Sequence, residues 1–262
     1  MSENRERILN LPGVVAAIIT TLVLVQLGVD RLPDAFVSEV YETFAFIPAR
    51  LTYAIAPQRV LQSLADGGAN GDELAWLLNN AGAAWWTPLT YTLLHGGWTH
   101  LAVNGLTLAA FGAPVARRFG PLRFLAFYAA CGIAGAAAHL LIHPFDFAPV
   151  VGASAAISGT MAAVVRFAFA PGAPLGERIG TMPEDEGGAP PSLASNRRAM
   201  FFLATWFGVN LLFGLFPQAA GAPGVIAWEA HMGGFLAGLA LFHVFDPRRA
   251  ALNRAGQNGR SE

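Results

Sequence analysis

Six runs of the chain carry almost no charge: Leu11–Val29, Trp98–Val115, Leu122–Ile142, Val150–Phe169, Ala199–Phe216 and Ala230–Phe245. A helix needs about 20 mainly apolar residues to cross a bilayer, and these runs reach or approach that length. The second and sixth are short and contain glycine, and the second could start as early as Trp86. Only 13% of the residues are charged and 54% are hydrophobic, against about a quarter charged in a soluble domain. The expected fold is therefore an all-α membrane protein, a bundle of six transmembrane helices. No small-residue cleavage site follows the first run, so it reads as a retained helix rather than a signal peptide.

The basic residues orient this bundle. All sixteen are arginine, a composition that suggests a GC-rich bacterial genome. With the N-terminus inside, thirteen fall in inner segments: Arg5, Arg7, Arg117, Arg118, Arg123, Arg166, Arg178, Arg197, Arg198, Arg248, Arg249, Arg254 and Arg260. The other three, Arg31, Arg50 and Arg59, lie in the first outer loop. The positive-inside rule then favours both termini inside. This divides the chain into a tail (1–10), a six-helix membrane domain (11–246) and a polar tail (247–262). Within the domain, 30–86 is a long outer loop and 171–198 an inner linker rich in Pro, Gly and acids. The loop is too apolar for a plain tether. Short interfacial helices are expected over Phe44–Leu51 and Leu74–Leu78, with Trp85 and Trp86 at the membrane boundary.

Ionisable or polar groups inside such spans are costly and mark function. In the alternating topology His100, Ser154 and His231 all sit near the outer ends of their spans. Their common depth is roughly 5–8 Å, at about 1.5 Å per residue. A hydroxyl and an imidazole at one depth form a nucleophile and a general base. Ser158 lies one turn deeper than Ser154, so Ser154 matches His231 better. Asn104 shares a helical face with His100, and both can donate to an oxyanion. No acid occurs between Glu73 and Asp146, and Glu229 is placed just outside the sixth span. A Ser–His dyad is thus expected rather than a triad, with the base oriented by packing. Gly234 and Gly238 would let the sixth helix approach the fourth, whose bare face is Gly152 and Gly159. His95 reads as structural. His139 and His143 have metal-compatible i, i+4 spacing, but without an acidic third ligand no metal is expected. The lone Cys131 excludes an internal disulfide. The net charge of −1 gives no reason to expect nucleic-acid binding.

Taken together, His95-x4-His100-x3-Asn104, Gly152-x-Ser154 and Ala230-His231-x2-Gly234-x3-Gly238 resemble the rhomboid family of intramembrane serine proteases, over about residues 85–245. The resemblance implies a six-helix bundle with a Ser154–His231 dyad opening outward in a bacterial inner membrane. It implies an oxyanion hole of His100, Asn104 and the Ser154 amide, a cap from Pro217–Trp228, and a fifth helix that gates entry. The implied partners are the bilayer and single-span membrane proteins as substrates; no cofactor is implied. The family usually has glycine where Ala155 stands, and the added methyl is expected to narrow the oxyanion hole. Its usual Trp-Arg pair is absent, leaving Ala49-Arg50 or Trp85-Trp86 to take that part. Loss of Ser154 or His231 would mark the alternative, an inactive client-binding relative; both are present.

Overall fold

A computed structural model describes residues 11–67, 71–80, 82, 84–167, 196–215 and 227–247. The N-terminal tail, most of the expected inner linker, most of the expected cap and the tail from 248 lie outside these residues. The described elements are helical. They are α1 (Gly13–Val29), α2 (Asp34–Phe44), α3 (Pro48–Ile55), α4 (Pro57–Asp66), α5 (Gly71–Asn79), α6 (Thr87–Thr90) and α7 (Trp98–Thr107). Then come α8 (Ala113–Phe119), α9 (Pro121–Ile142), α10 (Ser154–Phe167), α11 (Arg197–Leu215) and α12 (Trp228–Phe245).

Among the described residues, α9 is the one helix both long and apolar enough to cross a membrane by length and composition; α1 and α10 are shorter and apolar. The second apolar run is one continuous rod, longer than expected. It runs α7, a π-helical turn Leu108–Gly112, then α8. Pro114 explains the π turn. Its ring lacks an N–H and would clash with the carbonyl four residues back, and widening the turn relieves that.

The helices α9, α10 and α12 form the tightest part of the fold, because small residues let their backbones touch. A methyl on Gly234 would stand 2.0 Å from the Ala155 carbonyl oxygen, and one on Gly238 would stand 2.4 Å from that of Gly159. A methyl on Gly159 would meet Cys131 Sγ at 2.3 Å. Most of α10 is consequently buried on every side. At one end of this core Arg118 makes a two-pronged bond to Asp246, at 3.1 and 2.7 Å. Its guanidinium lies over the rings of Phe167 and Phe242.

Two expectations about boundaries need correction. The fourth span does not begin as helix at Val150. Val150 pairs with Phe46 as an isolated antiparallel bridge, and α10 starts at Ser154. Gly152 therefore lies in the approach to α10, at φ +121°, not on its face. Phe44–Leu51 is not one helix either. It is the end of α2, an extended break at Ala45–Ile47, and the start of α3. The residue before a proline is pushed out of helical geometry, and Pro48 does this to Ile47. Leu74–Leu78 lies within α5. The long loop is a packed layer: Val60, Leu64 and Leu77 form its own small core. Arg50 holds three carbonyls, those of Asn80, Gly82 and Glu42, at 3.0, 3.2 and 2.6 Å.

Candidate active site

The start of α10 and the first turns of α7 and α12 meet at one end of the bundle. Ser154 is the first residue of α10, so the amides of that turn have no partners within the helix and face outward with the positive end of its dipole. His231 lies in the first turn of α12, with Nε2 2.7 Å from Ser154 Oγ. Ser158 is engaged elsewhere, since its Oγ donates to the Ser154 carbonyl at 2.8 Å.

His231 has a second partner that the sequence reading missed. Its Nδ1 lies 2.7 Å from Asn210 Oδ1 on α11, and Asn210 Nδ2 donates to the Trp206 carbonyl at 2.8 Å. This arrangement assigns the imidazole. With the amide nitrogen committed to Trp206, Oδ1 must accept, so Nδ1 carries the proton and Nε2 presents a lone pair to the serine. Packing alone does not orient the base; an amide does. The available signal was a polar amide alone in an apolar run.

His100 approaches from α7. Its Nδ1 accepts from the Gly96 amide at 3.3 Å, which leaves the proton on Nε2. Gly152 makes room for that edge. A methyl there would stand 2.8 Å from His100 Nε2 and 3.6 Å from Ser154 Oγ, so imidazole and hydroxyl converge around its Cα. The positive φ and this close approach both require glycine. Asn104, 5% exposed, has an Nδ2 without a hydrogen-bond partner among the described residues. A buried N–H left open in this way is a donor awaiting an acceptor.

His95 is 1% exposed and sets its ring edge-on to His100, centroids 5.0 Å apart. Its carbonyl accepts from Tyr41 Oη at 2.7 Å. Burial first, and Asp30 second, raise the Tyr41 pKa. The Tyr91 carbonyl accepts from the Gly152 amide at 3.0 Å. Ala155 is buried at 1% exposure. Its methyl belongs to a cluster with Phe46, Tyr91, Ala136 and Ala230 and rests where a methyl on Gly135 would come within 2.5 Å.

Glu229 also departs from expectation. It is inside α12, in its first turn, and 7% exposed. It does not reach His231. Instead its Oε1 lies 2.9 Å from His143 Nε2 and its Oε2 lies 3.5 Å from His139 Nδ1. The histidine pair at the C-terminal end of α9, with His143 capping it, thus has the acidic neighbour that sequence spacing did not provide.

An all-α membrane protein with a serine and an imidazole in contact at the mouths of two helices is the class this fold and site define. The chain belongs to the rhomboid family, whose domain model, described as "Rhomboid domain", matches residues 82–247. It is 34% identical over 128 residues to YdcA of Bacillus subtilis, which is named provisionally as a rhomboid protease; the match covers 47% of this chain. It is 42% identical over 85 residues, 32% of this chain, to the rhomboid protease GluP of the same species. It is 29% identical over 160 residues, 61% of this chain, to RHOMBOID-like protein 5 of Arabidopsis thaliana. The chain spans 64%, 16% and 43% of the length of these relatives, less than two thirds of each.

Proposed function

We propose that the chain is an intramembrane serine endopeptidase. The observation that carries this reading is the 2.7 Å approach of His231 Nε2 to Ser154 Oγ, with Nδ1 held by Asn210. His231 takes the serine proton as Oγ attacks a scissile carbonyl carbon. The oxyanion receives hydrogen bonds from His100 Nε2, Asn104 Nδ2 and the Ser154 amide. His231 then protonates the leaving amine. A water, deprotonated by the same imidazole, hydrolyses the acyl-enzyme and restores Ser154.

Six spans with both termini inside suit this chemistry. The arginine distribution favours that orientation, and α7, α10 and α12 all begin at the site end, as alternate spans would. The site then opens outward in a bacterial cell membrane. The substrate is a single-span membrane protein cut near its outer boundary. The supporting similarity is to relatives named as rhomboid proteases. Division into an N-terminal tail, a membrane domain over 11–246 and a C-terminal tail is part of the same proposal.

The test is cleavage of a labelled model transmembrane substrate by the detergent-purified protein, against Ser154→Ala and His231→Ala. Loss of cleavage in both supports the dyad. A mutant that cleaves at the wild-type rate sinks it. An inactive client-binding protein would cleave nothing in any form, and a fluorophosphonate probe would leave its Ser154 unlabelled.

A further inference from the structure

His139, His143 and Glu229 lie at the same end of the bundle as Ser154 but belong to no step above. Their candidate ligand atoms all fall within 4.8 Å of one another. We propose that these three side chains bind one divalent transition-metal ion, zinc foremost, pinning the end of α9 to the first turn of α12.

Geometry, chemistry and burial each contribute. A tetrahedral site with metal–ligand distances of about 2.0–2.1 Å separates its ligand atoms by about 3.3 Å. Glu229 Oε1 lies 2.9 Å from His143 Nε2, Oε2 lies 3.5 Å from His139 Nδ1, and one ligand atom from each residue falls within 4.8 Å of the others, so the three side chains close on an ion by up to about 1.5 Å. Two imidazoles and one carboxylate suit zinc and its neighbours rather than magnesium or calcium. The two rings are tilted by 43° with centroids 4.9 Å apart.

His139 is 5% exposed, and neither of its ring nitrogens makes a hydrogen bond among the described residues. The Glu229 carboxylate approaches Nδ1 only to 3.5 Å. A buried polar ring left open beside a buried carboxylate costs stability unless something joins them. A cation joins them. His143 is 41% exposed in its side chain, which leaves an entry path and room for a water as fourth ligand. The ligands come from two helices, so binding ties α9 to α12 two residues ahead of His231.

The experiment uses the full chain in detergent, stripped with a chelator and titrated with zinc by calorimetry, then with cobalt(II) by absorption. Wild type is expected to take up one zinc per chain, to melt at a higher temperature with it, and to give the visible bands of four-coordinate cobalt. His143→Ala and Glu229→Gln are expected to weaken uptake by more than the roughly 10–100-fold typical of losing an outer-shell partner. His231→Ala and Ser154→Ala keep full uptake, which separates this site from the histidines around Ser154. The proposal falls if wild type binds no zinc, or if His143→Ala, whose half-exposed side chain makes it the mildest change to the fold, binds as wild type does. It falls equally if His231→Ala abolishes uptake. None of these readouts depends on protease activity.

Discussion

Asn210 Oδ1 and His231 Nδ1 are 2.7 Å apart, and this contact joins two helices that otherwise meet mainly through Trp206 stacked on Phe235 at 4.3 Å between centroids. A base that must present its Nε2 lone pair needs its other nitrogen protonated and held. Removing the holder leaves the imidazole free to rotate and to change tautomer. A hydrogen bond of this kind is worth about 1 kcal/mol, so Asn210→Ala is expected to lower kcat about fivefold with KM little changed. Single-turnover cleavage of a model transmembrane substrate checks this. An unchanged kcat would show that packing suffices.

Ser154 and Ser158 lie on one face of α10, yet only the first touches the base. Ser154→Ala is expected to reduce cleavage to background. Ser158→Ala loses a bond to a backbone carbonyl, and its rate should stay within a few-fold of wild type. Fluorophosphonate labelling of both variants gives the same contrast without a substrate.

The oxyanion assignment separates two donors. Asn104→Ala and His100→Ala should each lower kcat by about 10²–10³-fold, because each removes a donor to charge that develops in the transition state. Equal losses in kcat and kcat/KM would fit that role. A rise in KM alone would assign these residues to ground-state binding instead.

Arg118 and Asp246 pair far from Ser154, with side-chain exposures of 13% and 7%. Removing the carboxylate strands the Arg118 guanidinium over the rings of Phe167 and Phe242. Asp246→Ala is expected to destabilise the fold by about 3–5 kcal/mol, read as a lower melting temperature. The remaining folded protein should cleave at the normal rate.

Gly238 has no space for a side chain, since the Gly159 carbonyl stands where a methyl would go. Gly238→Ala must push α12 from α10 and should cost about 1–3 kcal/mol. Because Ser154 and His231 sit on those two helices, activity should fall along with stability. Gly28→Ala, at a position with nothing within 4 Å, is the control.

Much of the site could be read before any coordinates. His100, Asn104, Ser154 and His231 stand out because polar groups are rare in apolar runs and their depths agree once direction alternates. Three features escaped that reasoning. The helix start at Ser154 depends on the Phe46–Val150 bridge, which ties residues distant in sequence. Glu229 was placed outside the sixth span because apolarity falls off at Ala230, although α12 takes in Trp228 and Glu229 once His143 receives the carboxylate. Asn210 is a lone amide in an apolar run, and nothing along α11 itself shows that it meets His231.

The sequence by itself determined which segments are apolar, which residues carry reactive groups, and where glycines leave a helix bare. These properties are local, set by hydrophobic run length, spacing along one helix and side-chain size. Only the tertiary structure decided the partners: Asn210 for His231, Glu229 for His139 and His143, and Gly135 as the seat of the Ala155 methyl. Each of those contacts joins different helices. Which faces meet depends on how α9, α10, α11 and α12 rotate against one another as they pack, and no spacing along a single segment encodes that rotation.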